Sequence, residues 1–198
     1  MKITNSMRTL AAAFLTAVLL AGCASAPPSS TGIAQSTSKS ALNEKNRGDY
    51  ARALRELEEQ NYKQASNSLA RVMADNPGFV EGWGNLALAQ LRTGEIQSAK
   101  QSINNALRLD QQSAILHNLS GLIAAEDGSY KNAEQAYARA LRLNPNLANA
   151  HYNLGLLNDI YYQNIAKAIQ HYERYLALIN NADPDTEAWV QELKRNLK

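Results

Sequence analysis

The sequence predicts an all-α protein, a solenoid of about four helix pairs closed by a C-terminal helix. Three observations carry this expectation. Ala53, Ala87, Gly121 and Gly155 recur every 34 residues, and so do Leu54, Leu88, Leu122 and Leu156. A second small-residue series, Ala65, Ala99, Ala133 and Ala168, steps by 34, 34 and 35. Breakers fall at matching places: Gly94 and Gly128 supply the left-handed backbone that ends a helix, and Pro77 and Pro145 cannot continue one. A period of this length marks a repeat architecture, in which one unit cannot bury its own apolar face and several must stack.

The composition agrees. The 198 residues are 45% hydrophobic and 19% charged, too apolar for a disordered chain and long enough for one domain with a core. A single cysteine excludes an intramolecular disulfide, and with three scattered histidines it leaves no Cys/His zinc spacing. Stability must therefore come from packing.

Residues 1–22 carry Lys2 and Arg8, no acid, and an almost wholly apolar stretch from Thr9 to Leu20. This is the layout of a secretory signal, and the stretch is shorter than the ~20 residues a spanning helix needs. The following Leu20-Ala21-Gly22-Cys23 resembles the bacterial lipobox. That resemblance implies a diacylglyceryl group on the Cys23 thiol and cleavage before it; a generic signal cleavage site is the alternative. Two or three acyl chains anchor stably where one does not, at about 0.8 kcal/mol per buried CH2. Ala24, in place of an aspartate, implies an outer-membrane location in a Gram-negative source, facing the periplasm, or the cell membrane otherwise. Lys2 and Arg8 leave with the leader, so the mature chain has 18 basic and 18 acidic side chains. A neutral chain argues against nucleic acid as a partner. Residues 23–45, rich in Ser, Thr and Pro, read as a tether with a coil dimension of about 25 Å.

Units of 46–79, 80–113, 114–147 and 148–182 tile the rest of the repeat region. In the second, Trp83-x2-Leu86-Ala87 precedes Gly94 and Ala99-x3-Ile103; the third has Gly121, Gly128, Ala133-x3-Tyr137 and Pro145. The fourth has Leu154-Gly155 and Ala168-x3-Tyr172, with an extra residue expected to distort the turn somewhere in residues 160–165. The first has Ala65-x3-Leu69 and Pro77, but Asp49 and Arg52 where its first helix should be apolar. These residues resemble the tetratricopeptide repeat. The resemblance implies a right-handed superhelix of helix pairs A and B, with Ala53, Ala87, Gly121 and Gly155 on helix A and Ala65, Ala99, Ala133 and Ala168 on helix B letting the backbones approach. After the repeats, residues 183–198 read as a capping helix. Asp183 is its N-cap, Pro184 its first residue, acids fill the first turn and bases the last, and Trp189, Val190 and Leu193 form its apolar face.

Catalysis has little support, because no Ser/His/Asp spacing, phosphate loop or His-x3-His pair is present. His117 and His151 share one repeat position, where the family usually has Trp, and read as packing residues. The Asp183, Asp185 and Glu187 group reads as helix capping rather than a metal site, and no cofactor is expected beyond the lipid on Cys23. By the same resemblance the concave groove is lined from helix A, at Tyr50, Leu54, Leu88, Leu91, Arg92, Asn118, Leu122, Tyr152, Leu156 and Asp159. Asn85 and Asn153 are placed to bond a peptide backbone. The leucine row has two readings, a binding surface or ordinary packing between A helices. No Lys occupies the positions of the carboxylate clamp found in chaperone-binding members. The expectation is a non-catalytic scaffold for a helix or extended segment of an envelope protein, as in lipoproteins that assist type IV or Tad-type pilus or secretin assembly. The alternatives are a self-associating structural lipoprotein and a scaffold for peptidoglycan enzymes.

Overall fold

A computed structural model describes residues 42–197. The expected signal segment, Cys23 and nearly all of the tether lie outside these residues. Nine α-helices, one π-helical turn and no strand occur among the described residues. Helix A of the four repeats is α1 (Glu44–Glu58), α3 (Val80–Arg92), α5 (Ala114–Glu126) and α7 (Ala148–Leu156), the last continuing into the π-turn Leu157–Tyr161. Helix B is α2 (Tyr62–Asp75), α4 (Ile96–Leu109), α6 (Tyr130–Leu143) and α8 (Ile165–Leu178), and α9 (Pro184–Asn196) follows.

Each helix packs on its pair partner and on the next helix in sequence, and α3, α5 and α7 also touch one another in succession. Helix A thus forms the inner layer of a curved stack and helix B the outer one. The core is divided accordingly. Each apolar cluster joins one helix pair to helix A of the next; Ala53, Leu57, Ala65 and Leu69 of the first repeat, for example, meet Leu86 and Ala89 of the second. Among the described residues α9 follows the fourth pair in place of a further repeat, and its Val190 and Leu193 complete the cluster. Fully burying each such side chain is worth roughly 1.5–3 kcal/mol. Asp183 caps α9 by accepting from Thr186 N at 3.0 Å and Thr186 Oγ1 at 2.7 Å.

Asp49 and Arg52 are explained by position. Among the described residues no repeat precedes α1, and the two side chains, about half exposed, pair on its surface at 2.5 Å. The extra residue of the fourth unit is taken up earlier than expected, starting at Leu157. Tyr162 N donates to Leu157 O at 3.1 Å, five residues back, which is the π-bulge solution to a one-residue insertion.

All four A helices end in the left-handed region. Gly94 and Gly128 have φ of 76°, and Gln60 and Gln163 occupy the corresponding places at 60° and 51°.

Candidate functional site: the inner face of the repeat stack

The inner face begins with the crossing points that shape it. Ala53, Ala65, Ala87, Ala99, Ala133 and Ala168 are completely buried. At Gly121 and Gly155 an added Cβ would lie 2.4 Å from Tyr137 Cε1 and 2.6 Å from Tyr172 Cδ1. Those glycines therefore admit an aromatic ring where the first two repeats admit only Leu69 and Ile103.

A ring N–H fastens the start of helix A in three repeats. Trp83 Nε1 donates to Pro77 O at 2.9 Å, His117 Nε2 to Gln111 O at 3.1 Å and His151 Nε2 to Pro145 O at 3.1 Å. The two histidines thus do the work of the tryptophan. A carbonyl only accepts, so the Nε2 of His151 carries hydrogen, and its Nδ1 must accept from His171 Nδ1, 3.2 Å away. Desolvation holds both imidazoles below the ordinary histidine range. For His151, Arg174 adds to this and the Pro145 carbonyl opposes it; for His171, the His151 and Lys167 charges add.

Leu54, Leu88, Leu122 and Leu156 are all half-buried. Each packs at the edge of a core cluster, so the row serves the stack and still presents apolar surface. Leu91 and Arg92 are half-buried beside it. Tyr50 meets Phe79 edge-on, with ring centroids 4.9 Å apart, and burial pushes its hydroxyl up to about 12.

Two polar contacts join neighbouring A helices. Asn85 Nδ2 donates to Tyr50 Oη at 2.7 Å, and Asn153 Nδ2 donates to Asn118 Oδ1 at 3.0 Å. The Nδ2 atoms of both asparagines are thus engaged within the stack, whereas Asn85 Oδ1 has no partner there. The face closes with aromatics: Tyr152 packs on Tyr172 and Tyr175. Asp159 Oδ2 accepts from Trp189 Nε1 at 2.7 Å and from Tyr172 Oη at 3.3 Å. Burial raises the Asp159 carboxyl above its ordinary range against those two bonds, and burial likewise raises Glu126, opposed by Arg92.

Sequence reasoning missed the Trp189 to Asp159 contact and the burial of Glu81 at the inner edge of α3. Glu81 is an acid at the second position of its unit, a position that carries lysine in a carboxylate clamp. Among the described residues no group of three or more His, Cys, Asp or Glu is arranged to hold a metal, and no helix is long and apolar enough to cross a membrane.

A curved stack of helix pairs, with an apolar row along its inner face, defines an α-solenoid of the kind that serves as a protein–protein interaction scaffold. The chain belongs to the tetratricopeptide repeat family, whose model matches residues 50–114 and 85–148. Over 85 residues it is 27% identical to the tetratricopeptide repeat-containing protein trd-1 of Caenorhabditis elegans, a match covering 43% of this chain and 11% of that protein. Its fold is similar to that of PilF from Pseudomonas aeruginosa, with a TM-score of 0.68 and 24% identity over 77% of this chain and 69% of that one. It is also similar to the first repeat domain of Spaghetti (RPAP3) bound to the HSP90 peptide SRMEEVD, with a TM-score of 0.55 and 17% identity over 60% of this chain and 92% of that one.

Proposed function

We propose that the protein is a non-catalytic adaptor, tethered to the outer membrane through an acylated Cys23, which docks a helix or extended segment of an envelope protein on its inner face. Assembly of a type IV or Tad-type pilus is the pathway this reading favours. The observation that carries it is the continuous half-buried row Leu54, Leu88, Leu122 and Leu156, one leucine from each repeat. The fold likeness to PilF and the peptide held by the Spaghetti domain support it. The lipobox-like Leu20-Ala21-Gly22-Cys23 supports the tether.

Two experiments test the two halves. Leu88→Arg with Leu122→Arg places two charges on the row and is expected to abolish in-cell crosslinking to the partner, identified by mass spectrometry, with helicity retained and melting lowered only by the packing these two half-buried side chains lose. Crosslinking at the wild-type level would move the site off this face. Cys23→Ser is expected to shift the protein from the membrane to the periplasmic fraction; retention on the membrane would refute acylation there.

Self-association is the second reading; of the tyrosines near the irregular last repeat, Tyr161 stacks on Tyr130 and Tyr175 is buried, which leaves Tyr162, 41% exposed, joined by Trp189 at 47%. A concentration-independent monomer in sedimentation would remove it.

A further inference from the structure

The neutral count of charges hides a separation between the two layers. Helix A of the first repeat is balanced, with four acids and four bases on α1, whereas α3, α5 and α7 with its π-turn contain three acids, Glu81, Glu126 and Asp159, against one base, Arg92. Helices α4, α6 and α8 contain seven bases against two acids, Glu134 and Glu173. From the second repeat onward the inner layer is therefore acidic and the outer layer basic.

A second observation is independent of that count. Among the described residues, three buried side-chain atoms lack a hydrogen-bond partner: Glu56 Oε2, Glu81 Oε2 and Asn85 Oδ1. All three are acceptors, and all three lie on α1 and α3, the first two helices of the inner layer. Glu81 is 6% exposed and Asn85 not at all. They stand one turn apart on α3, where the Asn85 amide bonds Tyr50 and the Glu81 charge raises the same hydroxyl's affinity for its proton. Buried acceptors without donors are costly, and an arriving donor relieves that cost. A cation does so best, because charge-assisted bonds are the strong ones.

We infer that the inner face selects a peptide segment in which Lys or Arg alternates with apolar residues, the cations facing Glu81, Glu126 and Asp159 and the apolar side chains resting on the leucine row. This rests on the docking role proposed above and specifies the chemistry of the occupant. It is the opposite charge sense to the acidic SRMEEVD held by the Spaghetti domain.

The test is a selection from a random 12-residue peptide library displayed on phage, with the full-length chain held at its N terminus. It is run on wild type, on Leu88→Arg/Leu122→Arg, and on Glu81→Gln/Glu126→Gln/Asp159→Asn. Wild type is expected to enrich apolar peptides of net positive charge. The carboxamide variant should lose the charge bias and bind the leading wild-type peptide at least ~10-fold more weakly, a loss that shrinks as salt is raised. Attraction to the basic outer layer would enrich acidic peptides, so a positive set reports the inner face. Neutral or acidic peptides that are lost in the arginine variant would overturn the inference and leave the docking face standing, as would basic peptides bound equally by the carboxamide variant. Enrichment that survives both arginines, or no enrichment at all, would defeat the docking reading itself. Melting curves check each variant's fold, and single Glu81→Gln replaces the triple change if that one is unstable.

Discussion

Repeats 1 and 2 close their helix pairs with alanine against Leu69 or Ile103, whereas repeats 3 and 4 close theirs with glycine against Tyr137 or Tyr172. The backbone approach is retained in both halves, although no single residue at the crossing is. What the stack requires is a fixed total volume where helix A crosses helix B, because interiors are packed without slack. A methyl group removed from one helix is replaced by a larger ring on the other.

The largest effects should come from breaking that exchange. Tyr137→Leu leaves a void beside Gly121 and is expected to cost about 2–4 kcal/mol in chemical denaturation. Gly121→Ala drives a methyl into the Tyr137 ring and should cost about 1–3 kcal/mol, although alanine is the better helix former. Gly48→Ala is the control, since nothing lies within 4 Å of its added Cβ, and it should stabilise by about 0.5–1 kcal/mol. Combining Gly121→Ala with Tyr137→Leu rebuilds the pair found in repeat 1. The double variant should fall short of the additive cost by at least ~1 kcal/mol. Strict additivity would mean that the two positions are not matched to one another.

The same comparison separates what the sequence could disclose from what it could not. The small residues of both series were legible because sterics leave few alternatives at a helix crossing. Gly94 and Gly128 were legible because a positive φ favours glycine. Gln60 and Gln163 adopt the same conformation and gave no signal, since glutamine does not announce it. Position within the unit would have located Gln60; the extra residue of the fourth unit hid Gln163. The leucine row was legible as a row, yet its half-burial depends on how the repeats curve. The bonds from Asn85 and Asn153 to neighbouring helices were not legible, because an amide serves a peptide or a neighbouring helix equally well, and only the position of Tyr50 and Asn118 engages their Nδ2 atoms.

Those glutamines provide a smaller effect. A left-handed L-residue carries a cost of roughly 1–2 kcal/mol that glycine avoids, partly offset by glycine's freer unfolded chain. Gln60→Gly and Gln163→Gly should each stabilise by about 0.5–1 kcal/mol, and Gly94→Gln should destabilise by about 1 kcal/mol or more. Denaturation midpoints decide the sign. Destabilisation by both glycines would mean that the glutamine side chains do something at these turns beyond tolerating them.

The smallest effect contrasts repeat 2, where Trp83 fastens helix A with a group that does not titrate, with repeat 4, where His151 does so while sharing a hydrogen bond with His171. Both imidazoles titrate lower in the folded protein than in the unfolded chain, so the unfolded state binds more protons as pH falls. The stability they contribute is complete above the unfolded value of about 6.5 and is lost as pH drops through the lower folded values. A second proton would also set two N–H groups against each other at Nδ1, with Lys167 and Arg174 adding to the positive charge. Glu126 and Asp159, raised by burial, act in the opposite direction and do so equally in any histidine variant. The melting temperature of wild type should therefore fall further between pH 7.5 and pH 5.5 than that of His151→Trp, which keeps a ring N–H for the Pro145 carbonyl and removes the proton site. Hydrogen exchange should place the acid-sensitive opening in α7 and α8. An equal fall in both proteins would assign the pH dependence to other groups and leave the histidine pair as packing alone.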